Sequence, residues 1–239
     1  MQVVKLPVDE EGITLEGLRQ ANLKLLYLNS SSGGYHGHPI KQQRRLEIIE
    51  YARANQVYII EDDHNGELKF NTKPIDAMSK LDNDHIIYIG SFSKLLLPSI
   101  RISYMALPNQ LVQLFYEKSR DYHQTASKLE QLALAMYVED GQLARHLKRL
   151  RKHYRNKSTH LLQKLRTTFP QHKFELYETS LKITMAIKAD LVDQYIALAK
   201  QNDILVNKNS NNQITLSFSG ILDQDIDEAV DRLKEIWIN

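Results

Sequence analysis

The stretch Tyr88-Ile89-Gly90-Ser91-Phe92-Ser93-Lys94-Leu95-Leu96-Leu97-Pro98-Ser99-Ile100-Arg101 places the hydroxyls of Ser91 and Ser93, one amine and one guanidinium after a short apolar run. A lysine amine forms an imine with an aldehyde only when part of it is uncharged, so it needs desolvation or a neighbouring cation, and Arg101 could serve as that cation for Lys94. A phosphate monoester needs several donors, and Ser91, Ser93 and the fork of Arg101 are suitable ones. A second stretch, Ile59-Ile60-Glu61-Asp62-Asp63-His64, puts acids at the end of another apolar run. In open α/β sheets that edge is where ligands bind. Taken alone, Asp62 or Asp63 reads equally well as a helix cap or turn residue, and a lone lysine reads as a solvated loop side chain. The joint spacing is what favours a site.

These groups need a sheet to carry them. Apolar runs at Val3 to Leu6, Leu25 to Leu28, Val57 to Ile60, Ile86 to Ile89 and Ile102 to Leu107 read as strands. Between them, Thr14 to Gln20 and Pro39 to Asn55 read as helices, with Pro39 in a first turn and Leu46, Ile49 and Ala52 on one face. The alternation predicts an α/β fold with a mostly parallel sheet. From Pro108 to about Leu165 the pattern is helical, with Leu129, Leu132, Ala135 and Met136 recurring at three and four and a break at Gly141. Beyond Pro170, strands at Phe174 to Tyr177, Lys182 to Ile187, Ile204 to Val206 and Ile214 to Phe218 mix with helices at Leu191 to Gln201 and Asp223 to Ile236, a smaller α+β unit. The expected division is residues 1–140 and 141–239.

Composition narrows the function classes. With 239 residues, 42% hydrophobic and 25% charged, the chain has the usage of a globular protein rather than a disordered or fibrous one. Thirty-one Lys and Arg against twenty-nine Asp and Glu leave a formal charge of +2, so no global basic bias drives nucleic-acid binding. The absence of cysteine excludes disulfides, thiolate metal sites and a thiol nucleophile. No apolar run reaches a membrane span and the first residues lack a signal-peptide pattern, so a cytoplasmic location is expected.

The Ser-x-Ser-Lys pattern with Arg seven residues after the lysine resembles the Schiff-base segment of fold-type I pyridoxal-phosphate enzymes. Read with Ile59 to Leu68, the basic stretch Arg145 to Arg151 and Ile214 to Ser219, the chain is most similar to the aminotransferase-like domain of MocR-type transcriptional regulators of the GntR superfamily. The resemblance covers essentially the whole chain. It implies an incomplete large-domain sheet followed by a small α+β domain, with pyridoxal 5'-phosphate as cofactor. It assigns Lys94 to the imine, Asp62 to the pyridine nitrogen, Ser91, Ser93 and Arg101 to the phosphate, and His64 to the phenolic oxygen. It also implies a homodimer, a small amine or amino-acid effector, and DNA contact only through a winged-helix domain outside this chain. About a hundred further residues before Met1, carrying the phosphate-cradling turn and the ring-stacking aromatic, are expected, so this chain supplies only part of the cofactor's binding groups. An uncovered face and sheet edge would follow.

Three positions depart from the family's pattern. Asn29 to Gly37 replaces a proline-rich loop, His64 stands where tyrosine is usual, and Thr215 stands where many aminotransferases have an arginine that grips the substrate carboxylate. These weaken transamination more than cofactor binding, leaving a fragment of an amino-acid aminotransferase as the alternative. Two rivals rest on other residues. His36-Gly37-His38 with Glu61 to His64 offers metal ligands, though without a third cluster. Arg145, Lys148, Arg149, Arg151, Lys152, Arg155 and Lys157 look basic enough for nucleic acid, yet they surround an apolar stripe of Leu147, Leu150 and Tyr154, the pattern of a packed helix with a solvated basic face.

Overall fold

In the computed structural model, residues 2–34, 37–63, 66–71, 75–122, 125–209 and 212–238 are described. They divide into two compact units, one formed by residues 1–69 and 73–147, the other by 70–72 and 148–239.

The first unit begins with a two-residue antiparallel hairpin, β1 (Val8–Asp9) and β2 (Gly12–Ile13). It continues through α1 (Leu15–Gln20), β3 (Leu25–Leu28), α2 (Gln42–Asn55), β4 (Tyr58–Asp62), β5 (Ile86–Ser91) and β6 (Ser103–Ala106). The helices α3 (Asn109–Ser119) and α4 (Lys128–Glu139) follow, and α5 (Gln142–Thr168) begins in this unit and continues into the second. The sheet has the order β3-β4-β5-β6, with β3, β4 and β5 parallel and β6 antiparallel.

Among the described residues, one face of this sheet is closed by a buried core and the other is not. Leu26, Leu28, Ile59 and Ile86 point to the side where Ile48, Ile49 and Ala52 of α2 complete a buried core with Leu18, Ile40, Val57 and Met78. On the opposite face stand Leu25, Tyr27, Ile60, Asp62, Ile87, Ile89 and, from β6, Met105. Leu25, Tyr27 and Met105 are 41, 62 and 44% exposed. Parallel sheets are ordinarily covered on both faces, so this chain's sheet is only half packed.

The second unit is an antiparallel sheet of order β7-β8-β10-β9, from β7 (Lys173–Tyr177), β8 (Lys182–Ala186), β9 (Asn207–Lys208) and β10 (Ile214–Ser217). Ile183, Met185, Ile214 and Leu216 share the face that packs with Leu161 and Leu165 of α5, with α6 (Ala189–Gln201) through Val192 and Ala199, and with α7 (Ile226–Ile238) through Val230, Leu233 and Trp237. Trp237 stacks on Tyr195 with ring centres 5.2 Å apart and donates its indole N–H to the Tyr195 carbonyl at 2.9 Å.

The structure is the predicted α/β fold, with local corrections. Val3 to Leu6 is not a strand: it pairs with no neighbour among the described residues and Val3 is 78% exposed. Pro39 does not start α2, because the amides of Ile40 and Lys41 are bonded to the carbonyls of Ser30 and Glu11, which delays the helix to Gln42. On α2 the buried stripe is Arg45, Ile48, Ile49 and Ala52, and Leu46 lies outside it, 38% exposed. The helical stretch after Pro108 has a second break between α3 and α4. There Ser127 caps the amide of Glu130, a capping-box spacing present in the sequence. Gly141, in the left-handed region at φ 68°, is the break between α4 and α5. On α4, Leu129, Leu132 and Met136 are 76, 62 and 58% exposed rather than packed. The strand expected at Ile204 to Val206 is displaced to Asn207–Lys208, since the Ile204 amide still bonds to Ala199 at the end of α6 and Val206 turns into the core.

Candidate functional site

The three parallel strands all end at one edge of the sheet, at Leu28, Asp62 and Ser91. Asp62 pairs in register with Ile89, and Ser91 lies two residues further along β5, so both side chains stand on the uncovered face at neighbouring strand ends. Sequence spacing alone could not have put them side by side.

After Ser91 the chain makes a loop whose base is closed twice. Ser91 pairs with Ser103, and the Phe92 amide donates to the Ile102 carbonyl at 3.0 Å. The Leu95 and Leu96 amides fold back onto the Phe92 carbonyl, and the Ser93 amide donates to Ser91 Oγ at 3.3 Å. Arg101, one residue before that closure, sits in the left-handed region at φ 45°, an uncommon conformation for a side chain of its size. Lys94 and Arg101 are both exposed. His146, on α5, bonds to the Leu95 carbonyl at 2.8 Å. Ser91, Ser93, Lys94 and Arg101 thus belong to one closed loop at the edge where Asp62 ends its strand. His64 lies outside the described residues, as does His36 of the metal reading. Among the described residues no group of three or more His, Asp or Glu side chains could hold a metal ion.

Beneath this edge lies a charged scaffold. Glu61, fully buried, accepts the amides of Met78 and Ser79 at 2.9 and 3.0 Å. Arg45, 1% exposed, donates to the carbonyls of Ile40, Ser30 and Asp76, tying the loop after β3 to the loop before Met78. Burial pushes its pKa down while Glu61 and Asp63 oppose that shift. The loop itself is wound around Asn29, whose side-chain oxygen accepts the amides and hydroxyls of Ser31 and Ser32. Asp63 accepts from Tyr88 at 3.2 Å and, with Tyr88, Ser30, Arg45 and Tyr104, lines a cleft of about 290 Å3. Burial first, then the charge of Asp63 and the neighbouring Tyr104, pushes the Tyr88 phenol up.

Tyr27, Arg45 and Tyr88 were not among the predicted site residues. Arg45 had a legible signal, since it falls at i, i+3, i+4 and i+7 with Ile48, Ile49 and Ala52, whereas Tyr27 becomes a neighbour of Asp62 only through strand pairing. Thr215, the position noted for its missing arginine, lies opposite Thr184 in the second unit. It is 6% exposed and its hydroxyl has no hydrogen-bond partner among the described residues. Of the basic residues around Arg145 to Lys157, Lys157 leaves the solvated face: it is 4% exposed, donates to the Ile221 carbonyl and pairs with Asp223.

A half-covered parallel sheet with a lysine loop at its carboxyl edge and a small antiparallel domain define the fold-type I transferase class. The solved structure of LysN, an α-aminoadipate aminotransferase from Thermus thermophilus complexed with N-(5'-phosphopyridoxyl)-L-leucine, superposes with a TM-score of 0.79 at 21% identity, over 98% of this chain and 65% of that one. A kynurenine aminotransferase from Pyrococcus horikoshii gives 0.77 at 22%, over 98% and 63%. The family model for aminotransferases of class I and II matches residues 37–233, and the chain belongs to that family. It is also similar to regulators. The uncharacterized HTH-type transcriptional regulator YdeL of Bacillus subtilis (strain 168) is 32% identical over 99% of this chain and 54% of its own length. The probable rhizopine catabolism regulatory protein MocR of Rhizobium meliloti is 32% identical over 64% of this chain and 31% of its own. The chain spans about half the length of the first two curated relatives it matches.

Proposed function

We propose that this chain is the effector-sensing, pyridoxal-phosphate-binding part of a MocR-type DNA-binding regulator, with residues 1–140 contributing to the cofactor-binding domain and 141–239 forming the small domain. The observation that carries this reading is the placement of Asp62 and Ser91 on one open face, with Lys94 and Arg101 in the loop closed immediately beyond. The donor set fits the group: a carboxylate for a ring nitrogen, two hydroxyls and a guanidinium for a phosphate, and an exposed amine for an aldehyde. Bound pyridoxal phosphate supplies an aldehyde carbon and an electron-withdrawing ring. Lys94 would hold the aldehyde carbon, Asp62 would keep a proton on the ring nitrogen, Ser91, Ser93 and Arg101 would bind the phosphate, and His64 would meet the phenolic oxygen. DNA contact through a domain beyond this chain belongs to the same reading, supported by the HTH-type relatives, and homodimerisation and a cytoplasmic location are proposed with it. No helix among the described residues is long and apolar enough to cross a membrane.

Thr215 favours sensing over turnover. It stands where the resemblance gives many aminotransferases an arginine, and a hydroxyl cannot reproduce that side chain's bidentate grip on a carboxylate. The test is to mix the protein with pyridoxal phosphate, reduce with borohydride and locate any pyridoxyl-lysine by peptide mass. Labelling confined to Lys94 and lost in Lys94→Ala is the expected result. Labelling elsewhere, or none both here and in a chain extended upstream, overturns the reading.

A further inference from the structure

On the uncovered face of the first unit, Tyr27 of β3 pairs in register with Ile60, so Asp62, two residues on, is its diagonal neighbour on the same side. The Tyr27 hydroxyl donates to Asp62 Oδ2 at 2.5 Å. The ring is 62% exposed, so packing does not hold it there. Hydrogen bonding to Asp62, then burial and the carboxylate's charge, push the phenol up to about 12.

We propose that Tyr27 is a positioning residue for Asp62: its hydroxyl fixes the carboxylate's orientation and takes up part of its negative charge. The inference rests on the assignment of Asp62 to the cofactor's ring nitrogen. A carboxylate that shares its charge with a phenol is a weaker base toward a second donor. Toward a bound cofactor, Asp62 would then be a tempered partner for the ring nitrogen and would draw less on the ring's electron-withdrawing chemistry. That setting suits a site that binds and exchanges an amine more than one that must stabilise carbanions over many turnovers.

The first measurement needs no cofactor. In protein carrying ring-13C tyrosine, the Tyr27 signal is identified by its loss in Tyr27→Phe, a change at an exposed position that leaves the core intact. The wild-type phenol should resist ionisation to about pH 11, and Asp62→Asn or Asp62→Ala should return its midpoint toward about 10. A wild-type midpoint near 10, or one that neither Asp62 variant moves, overturns the pairing. The second measurement uses 15N-labelled pyridoxal phosphate. Tyr27→Phe should raise the titration midpoint of the ring nitrogen by about 0.5 to 1 unit while labelling at Lys94 persists. Labelling with an unmoved midpoint overturns the role of Tyr27 and leaves the cofactor reading standing. Failure of wild-type labelling, here and in the upstream-extended chain, overturns both.

Discussion

The guanidinium of Arg45 on α2 donates to the carbonyl of Ser30 in the loop after β3, and from the same fork also reaches Ile40 and Asp76. A side chain 1% exposed thus replaces water for three backbone acceptors at once. Arg45→Met should remove about 3–5 kcal/mol, because three carbonyls lose a buried donor and Glu61 loses a nearby positive charge. Arg45→Lys should recover only part, since one ammonium cannot reproduce the planar fork. Amide hydrogen exchange at Leu26, Leu28 and Ile59 reads this in the first unit separately from the second. Wild-type protection in Arg45→Met would show that the network contributes nothing.

Asp82 gives the first unit a measurable acid sensitivity. Its carboxylate is 2% exposed, accepts from Arg53 at 2.7 Å and from the amides of Asp84 and His85. Burial raises its pKa, but Arg53 and the two amides outweigh burial and hold it below the usual value. A carboxyl whose folded pKa is lowered contributes stability that is present above its unfolded value of about 3.9 and lost as pH falls through the folded value. Asp82→Asn should therefore cost about 1–2 kcal/mol at neutral pH and progressively less below about pH 4. Parallel acid titrations followed by amide exchange or circular dichroism check the sign. A gap between wild type and variant that widens on acidification contradicts it.

Thr215 should tolerate loss of its hydroxyl. A buried hydroxyl without a partner costs stability, and valine keeps the branched shape and the β preference. Thr215→Val is expected to leave the melting temperature unchanged or to raise it, by up to about 1 kcal/mol of added stability. Thr215→Arg, which would bury a charge beside Thr184, should lower it by several degrees. Calorimetry of the second unit's transition decides, and a marked loss in Thr215→Val would reveal a partner for the hydroxyl in solution.

The open helix faces should make the chain self-associate or bind apolar dyes. Leu129, Leu132 and Met136 fall at i, i+3 and i+7 on α4 and are 76, 62 and 58% exposed, while Phe115 and Tyr116 of α3 are 44 and 64% exposed. Replacing Leu129 and Leu132 by Glu should lower dye fluorescence and reduce concentration-dependent sedimentation, with little effect on melting because neither side chain is in the core. An unchanged sedimentation profile would mean that this face does not drive association.

The strands at Leu25, Tyr58 and Ile86, the helix ending at Asn55, the break at Gly141 and the lysine loop were legible because each rests on local rules, namely a side-chain period, a turn residue or a fixed spacing of reactive groups. From these the sequence by itself determined an α/β chain whose acids and amine lie at strand ends. It could not tell which apolar stripe has a partner. Leu129 and Leu132 have the spacing of buried residues and stand in solvent, whereas Lys157 has the chemistry of a surface residue and is buried. Burial depends on what the rest of the chain brings to a face, and no local period records that. In the same way, the meeting of Tyr27 with Asp62 and the alignment of Asp62 with Ser91 were decided only by the parallel register of β3, β4 and β5, a property of pairing between segments more than twenty residues apart.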